Sequence, residues 1–159
     1  MTAEKLNGLF KDVMNDMDRL KIPYSKSFSA KINTRAVRRR GACKKKDGRF
    51  IIELSVYCLD DPDAEIKNVI AHELIHTCPG CFNHGDNFKA YMDKLNAHGY
   101  SVATAYTGEA PELEQNAKYK IVCKSCGQTF YRMRMSDVVK YPDRYKCTCG
   151  GKLEVYVRK

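Results

Sequence analysis

The run His72-Glu73-Leu74-Ile75-His76 constrains the fold of this chain more than any other feature. On a helix, positions i and i+4 share a face, so both imidazoles can meet one metal ion only if this stretch is helical. The preceding Ile66, Val69 and Ile70, together with Leu74, form the buried apolar stripe of the same helix. Glu73 stands next to the first imidazole, within reach of a water on the metal. These five residues are the minimum machinery of a zinc hydrolase.

Flanking signals place the other elements. Leu6, Leu9, Phe10, Val13, Met17 and Leu20 are at helical spacing, which predicts an amphipathic helix over Glu4 to Leu20, ended by Pro23. Asp47-Gly48 is a turn signal between the basic stretch from Phe28 and the alternating run Phe50 to Cys58, read as a β-hairpin with a basic tip. Asp61 before Pro62 reads as the cap of the motif helix, which runs to about Thr77 and is broken by Pro79-Gly80. A further helix is expected from Asp86 to His98-Gly99, and Glu109 to Gln115 reads as a linker.

A catalytic zinc site needs three protein ligands and an open position. His84, eight residues after His76 and beyond the Pro-Gly break, is the expected third ligand; His98 is the competitor, although a helix C-terminus accounts for it. Cys78 and Cys81 lie in the intervening loop, and three readings stand: ligands of the same metal, a redox-sensitive pair, or ordinary loop cysteines. With three histidines on the metal, zinc-activated water would attack a peptide carbonyl and Glu73 would act as general base. Tyr100 or Tyr106 could assist the oxyanion, although core packing explains either. The strand Phe50 to Cys58 could pair with an extended substrate.

Near the C-terminus, Cys123-Lys-Ser-Cys126 and Cys147-Thr-Cys149 can close a four-thiolate site. Two disulfides are the alternative, disfavoured by the spacing and by the reducing compartment expected here. The first twenty residues lack the basic start and apolar stretch of a signal peptide, so the expectation is a cytoplasmic monomer with no membrane association. Of the net charge of +9, residues 21–50 carry eleven bases against one acid and residues 118–159 eleven against three. Such blocks point to a polyanion, nucleic acid first. The expected contacts are Arg35, Arg38, Arg39, Arg40, Lys44, Lys45, Lys46 and Arg49 in the first block, and Arg132, Arg134, Arg144 and Lys146 in the second. In the latter, Tyr119, Phe130, Tyr131, Tyr141 and Tyr145 are interleaved as stacking on exposed bases would require, although a small core must claim some of them.

Taken together, Arg40-Gly41-Ala42-Cys43, the turn and strand Asp47 to Leu59, the His72–His76 helix, His84-Gly85-Asp86 and the four-cysteine segment resemble the SprT-like family, which includes the Spartan proteases. The gaps around the third histidine differ from the metzincin pattern. The resemblance implies an α+β fold. Residues 1–117 would be a minimal zincin-like metalloprotease domain with helices packed on a small β-sheet, and residues 118–159 a β-rich zinc ribbon. It implies two Zn²⁺ per chain, one catalytic on His72, His76 and His84 and one structural on the four cysteines, with Glu73 as base. It also implies proteolysis of proteins bound or crosslinked to DNA that is single-stranded or has single-stranded character. The chain ends ten residues after Cys149, so DNA targeting is expected to come from the two basic blocks. The alternative function is a non-catalytic nucleic-acid-binding protein with both metals structural.

Overall fold

The computed structural model describes residues 1–105 and 111–158, the backbone alone at 111–113. The chain is mixed α and β and divides into two compact units, Met1–Gly108 and Glu109–Lys159. No helix among the described residues is long and apolar enough to cross a membrane.

In the first unit, α1 (Ala3–Arg19) buries Leu6, Leu9, Phe10, Val13 and Met17, the stripe its sequence period requires. Thr2 caps it by accepting the Lys5 amide at 3.2 Å. The helix stops ahead of Pro23, where Lys21 turns to a positive φ of 54°.

Three strands follow, β1 (Phe28–Asn33), β2 (Gly41–Lys46) and β3 (Arg49–Ser55), in the order β1-β3-β2. β2 and β3 form the hairpin, turning through Asp47 and Gly48, both at positive φ as a two-residue turn of this hand demands. β1 instead pairs with β3 in parallel, so the hairpin lies between Gly41 and Ser55 and not between Phe28 and Cys58. β3 ends at Ser55, and Val56–Asp60 coils into a 3-10 turn. The alternation along β3 points Ile52 and Leu54 into the core, while Glu53 on the other face accepts from Lys44 at 2.7 Å and Asn33 at 3.0 Å.

α2 (Asp63–Ile75) carries the motif and is buried on nearly every side by Ile66, Ile70, Ala71, Leu74 and Ile75. Its cap is Pro62, without a side-chain hydrogen bond; the expected cap, Asp61, lies 3.8 Å from the Arg40 guanidinium instead. α3 (Asp86–Asn96) buries Phe88 and Leu95, with Tyr91 and Met92 half-buried against the same core.

In the second unit, α4 (Pro111–Asn116) occupies the stretch expected as a linker. Proline suits a first helical position and the glutamates suit the positive helix start, signals that outweigh the polar composition. β4 (Tyr119–Cys123) is the centre of an antiparallel sheet, flanked by β5 (Thr129–Arg132) and β6 (Leu153–Val157). With the short helix α5 (Asp137–Lys140) they enclose a small core that holds Tyr119, Ile121 and Val139, backed by Phe130, Val138, Leu153 and Val155.

β2 reaches α2 at Gly41, where an added Cβ would stand 2.5 Å from Glu73 Oε1 and 2.8 Å from Val69 Cγ1. Gly41→Ala should therefore force the strand off the helix and cost roughly 1–3 kcal/mol of stability. Chemical denaturation of the two proteins checks this, and equal stabilities would show that β2 yields freely.

Candidate functional site

α2 and the turn after it bring His72, His76 and His84 together, their ligand atoms all within 4.8 Å of one another. His72 Nε2 lies 3.2 Å from His76 Nε2 and 3.1 Å from His84 Nε2. Nitrogens sharing a tetrahedral zinc would be about 3.3 Å apart, so the spacing fits that ion. The Nδ1 atoms of His72 and His76 donate to the carbonyls of Ala103 at 2.7 Å and Cys81 at 2.8 Å. That fixes the tautomer with the Nε2 lone pairs facing inward, as metal ligation requires. Phe88, fully buried on α3, packs under all three rings with centroids 4.8–5.0 Å away.

Burial lowers the His72 pKa to about 4, partly opposed by the Ala103 carbonyl and reinforced by the neighbouring imidazoles; His76 is lowered for the same leading reason. The imidazoles of His72 and His76 are thus neutral and ready to bind a cation. Glu73 is 5% exposed, and burial raises its carboxyl to about 8, with the Arg39 charge and the Cys43 amide pulling the other way.

Cys78 and Cys81 are not part of this cluster. Both are buried in the core, with their thiols directed at the carbonyls of Leu74 and Pro79. It is the Cys81 backbone carbonyl, holding His76, that serves the site. His98 stands apart, bonded to the Lys94 carbonyl at the end of α3. Tyr100 donates to Asp16 at 2.7 Å and packs against the core, which removes it as an oxyanion partner; Tyr106 lies outside the described residues. β3 is the central strand, so its backbone is already paired on both edges and cannot receive a substrate.

The four cysteines of the second unit also converge. Cys123 Sγ lies 3.5 Å from Cys149 Sγ, and Cys126 Sγ 3.6 Å from Cys147 Sγ, close to the roughly 3.8 Å edge of a zinc–thiolate tetrahedron. The amides of Cys126 and Ser125 lower the Cys123 pKa, and the Cys149 amide lowers that of Cys147. The amides that reach these sulfurs thus belong to non-glycine residues. The Gln128 amide favours the Cys126 thiolate, but the surrounding thiols outweigh it and push this group up. Four thiolates this close need a cation.

Of the basic residues, Arg35, Arg38, Arg39, Lys44, Lys45, Lys46 and Arg49 are exposed in the first unit, and Arg134, Arg144 and Lys146 in the second. Arg40 is the exception: at 5% exposure and beside Asp61 it serves the fold and cannot reach an outside phosphate. Arg132 is half-buried, with a donor on its neighbour's carbonyl. Tyr119 and Phe130 belong to the small core, whereas Tyr141 and Tyr145 are exposed, and the Arg144 guanidinium stacks 4.3 Å over the Tyr141 ring. Sequence reasoning did not find the carbonyls of Ala103 and Cys81, which have no residue signature, nor Phe88 as the floor of the site.

Two measurements test these sites. The folded metal-free chain keeps the Glu73 proton up to about pH 8, while the unfolded chain loses it near 4.5. Folding therefore takes up a proton between these values, and the contribution of Glu73 to stability falls as pH rises through the window. Metal-free Glu73→Gln should match wild type near pH 4 and become progressively more stable than it toward pH 8; a pH-independent gap in thermal denaturation would refute this. Elemental analysis should find two zinc ions per chain, with His84→Ala and Cys149→Ser each losing one.

The sequence matches the SprT-like family over residues 6–108, a span that holds the three histidines and Glu73. A relative described as "Protein SprT-like" from Bacillus subtilis (strain 168) is 28% identical over 123 residues, 70% of this chain and 76% of its own length. One from Streptococcus suis (strain 05ZYH33) is 32% identical over 104 residues, 60% and 63% of the two chains. Another, from Oceanobacillus iheyensis, is 26% identical over 145 residues, 87% and 91%. With the family matched over well more than half of its length, this chain belongs to the SprT-like family.

Proposed function

We propose that this chain is a zinc-dependent endopeptidase that acts on DNA-bound or DNA-crosslinked proteins. The observation that carries the reading is the convergence of three imidazoles beside the buried carboxyl of Glu73. When bound, zinc would supply the Lewis acid that polarises the scissile carbonyl and makes water acidic at neutral pH. His72, His76 and His84 hold it, oriented by the carbonyls of Ala103 and Cys81 and by the Phe88 ring. His84 is exposed and His72 half-buried, so the histidine face is open to a substrate.

Glu73 takes the proton of the attacking water and returns it to the leaving amine. Burial makes its carboxylate a stronger base than an exposed glutamate, while Arg39 and the Cys43 amide favour the ionised form that the role requires. β2 is an edge strand that meets α2 at Gly41, so its outer backbone is where an extended substrate would pair. Such pairing gives binding with little sequence preference.

DNA engagement is supported by the exposed Lys44, Lys45, Lys46 and Arg49 around the β2–β3 turn. In the second unit Arg134, Arg144 and Lys146 stand with the exposed rings of Tyr141 and Tyr145. Cations supply phosphate contacts and open rings supply stacking, so affinity would fall steeply with salt.

The test incubates wild type and Glu73→Gln with a protein substrate, alone and with single-stranded or duplex DNA. Wild type should cleave, faster with DNA, and the variant should lose at least about 100-fold in rate while keeping zinc and DNA binding. Absence of Glu73-dependent cleavage in every arm would instead favour a nucleic-acid-binding protein with two structural metals.

A further inference from the structure

A cleft of ≈ 490 Å³ opens beside His72 and Glu73 and follows α2 back toward Glu65. That volume lies within the range of small-ligand sites and exceeds what one water needs. Val69, Val102 and Ala103 supply apolar lining, and the charged groups besides Glu73 are Arg38, Arg39, Arg40 and Glu65. Arg40 is buried against Asp61 and is spoken for.

Arg39 is placed differently. Its side chain is 52% exposed and 3.4 Å from Glu53 Oε2, yet Glu53 already accepts from Lys44 and Asn33. A guanidinium has five donors, so Glu53 can steady Arg39 while leaving most of its fork for another acceptor. Asn68 lines the same cleft, and its Oδ1 accepts the Ser101 amide at 2.9 Å, which leaves its amino group as the donor. Glu65 is exposed in the first turn of α2, where the helix start accounts for an acid and water screens it.

We propose that this cleft is a carboxylate subsite, in which Arg39 and Asn68 hold a carboxylate of the substrate next to the bond being cut. The planar arginine fork matches a carboxylate with two parallel hydrogen bonds, whether it is an acidic side chain flanking the bond or the free end of a chain. The inference rests on the peptidase reading of the same site.

The zinc-loaded full chain carrying Glu73→Gln, which cannot turn over, is titrated with three hexapeptides. One has a central glutamate and blocked ends, one has glutamine in its place, and the third is the glutamine peptide with a free C-terminus. The glutamate or the free-ended peptide should bind at least about tenfold more tightly than the blocked glutamine peptide, and which of the two does so identifies the source. Adding Arg39→Ala should erase the difference. Equal binding of all three, no binding of any, or a difference that survives Arg39→Ala overturns the proposal. Giving the same peptides to wild type separates the two readings. Carboxylate-selective binding without cleavage keeps the subsite and rejects the peptidase, whereas cleavage with no carboxylate preference does the reverse.

Discussion

The first unit depends on burying α2, a helix that must serve as the centre of the core and carry the polar machinery as well. Ile66, Ile70, Leu74 and Ile75 are fully buried, and Glu73 and His76 on the same helix are 5% and 8% exposed. A polar group in such surroundings costs several kcal/mol unless it finds a partner, so the neighbouring segments are placed by what the helix needs. The Cys81 carbonyl satisfies His76, the Ala103 carbonyl satisfies His72, and β2 approaches closely enough at Gly41 for the Cys43 amide to act on Glu73. The turn after α2, the segment after α3 and the edge of the sheet are thereby tied to one element.

Desolvation then acts on acid and base in opposite directions with one result. It raises Glu73 and lowers His72 and His76, so each group is biased to its neutral form. The Nε2 of His72 is left facing those of His76 and His84 at 3.2 and 3.1 Å, an arrangement that a dication suits. The second unit reaches the same situation with sulfur. The core among the described residues is thin, and the Cys126 thiol, pressed against the others, resists ionising until a metal compensates it. There the metal would supply folding energy, whereas in the first unit the apolar core stands without it.

Much of this was legible along the chain. The α1 stripe, the α2 stripe with its two histidines, the α3 start at Asp86 and the paired cysteines all follow from short-range spacing. His84 was legible only by elimination, since two imidazoles need a third, and its convergence depends on the turn at Cys78–Cys81 packing inward. Other readings failed because they concern partners distant in sequence. Asp61 looked like a cap and is opposite Arg40, Arg40 looked like a phosphate contact and is buried, and Tyr100 is held by Asp16 on α1.

The sequence by itself determined which residues could share a helical face, which turn joins β2 to β3 and which side chains could bind a metal, because these depend on periods of two to four residues. Tertiary structure alone decided that β1 runs parallel to β3, that β3 is central and β2 the edge, and that Arg40 is buried while Arg38 and Arg39 are exposed. Those outcomes rest on contacts between residues dozens of positions apart. Their energies come from burial and from hydrogen bonds completed across the core, which no local pattern encodes.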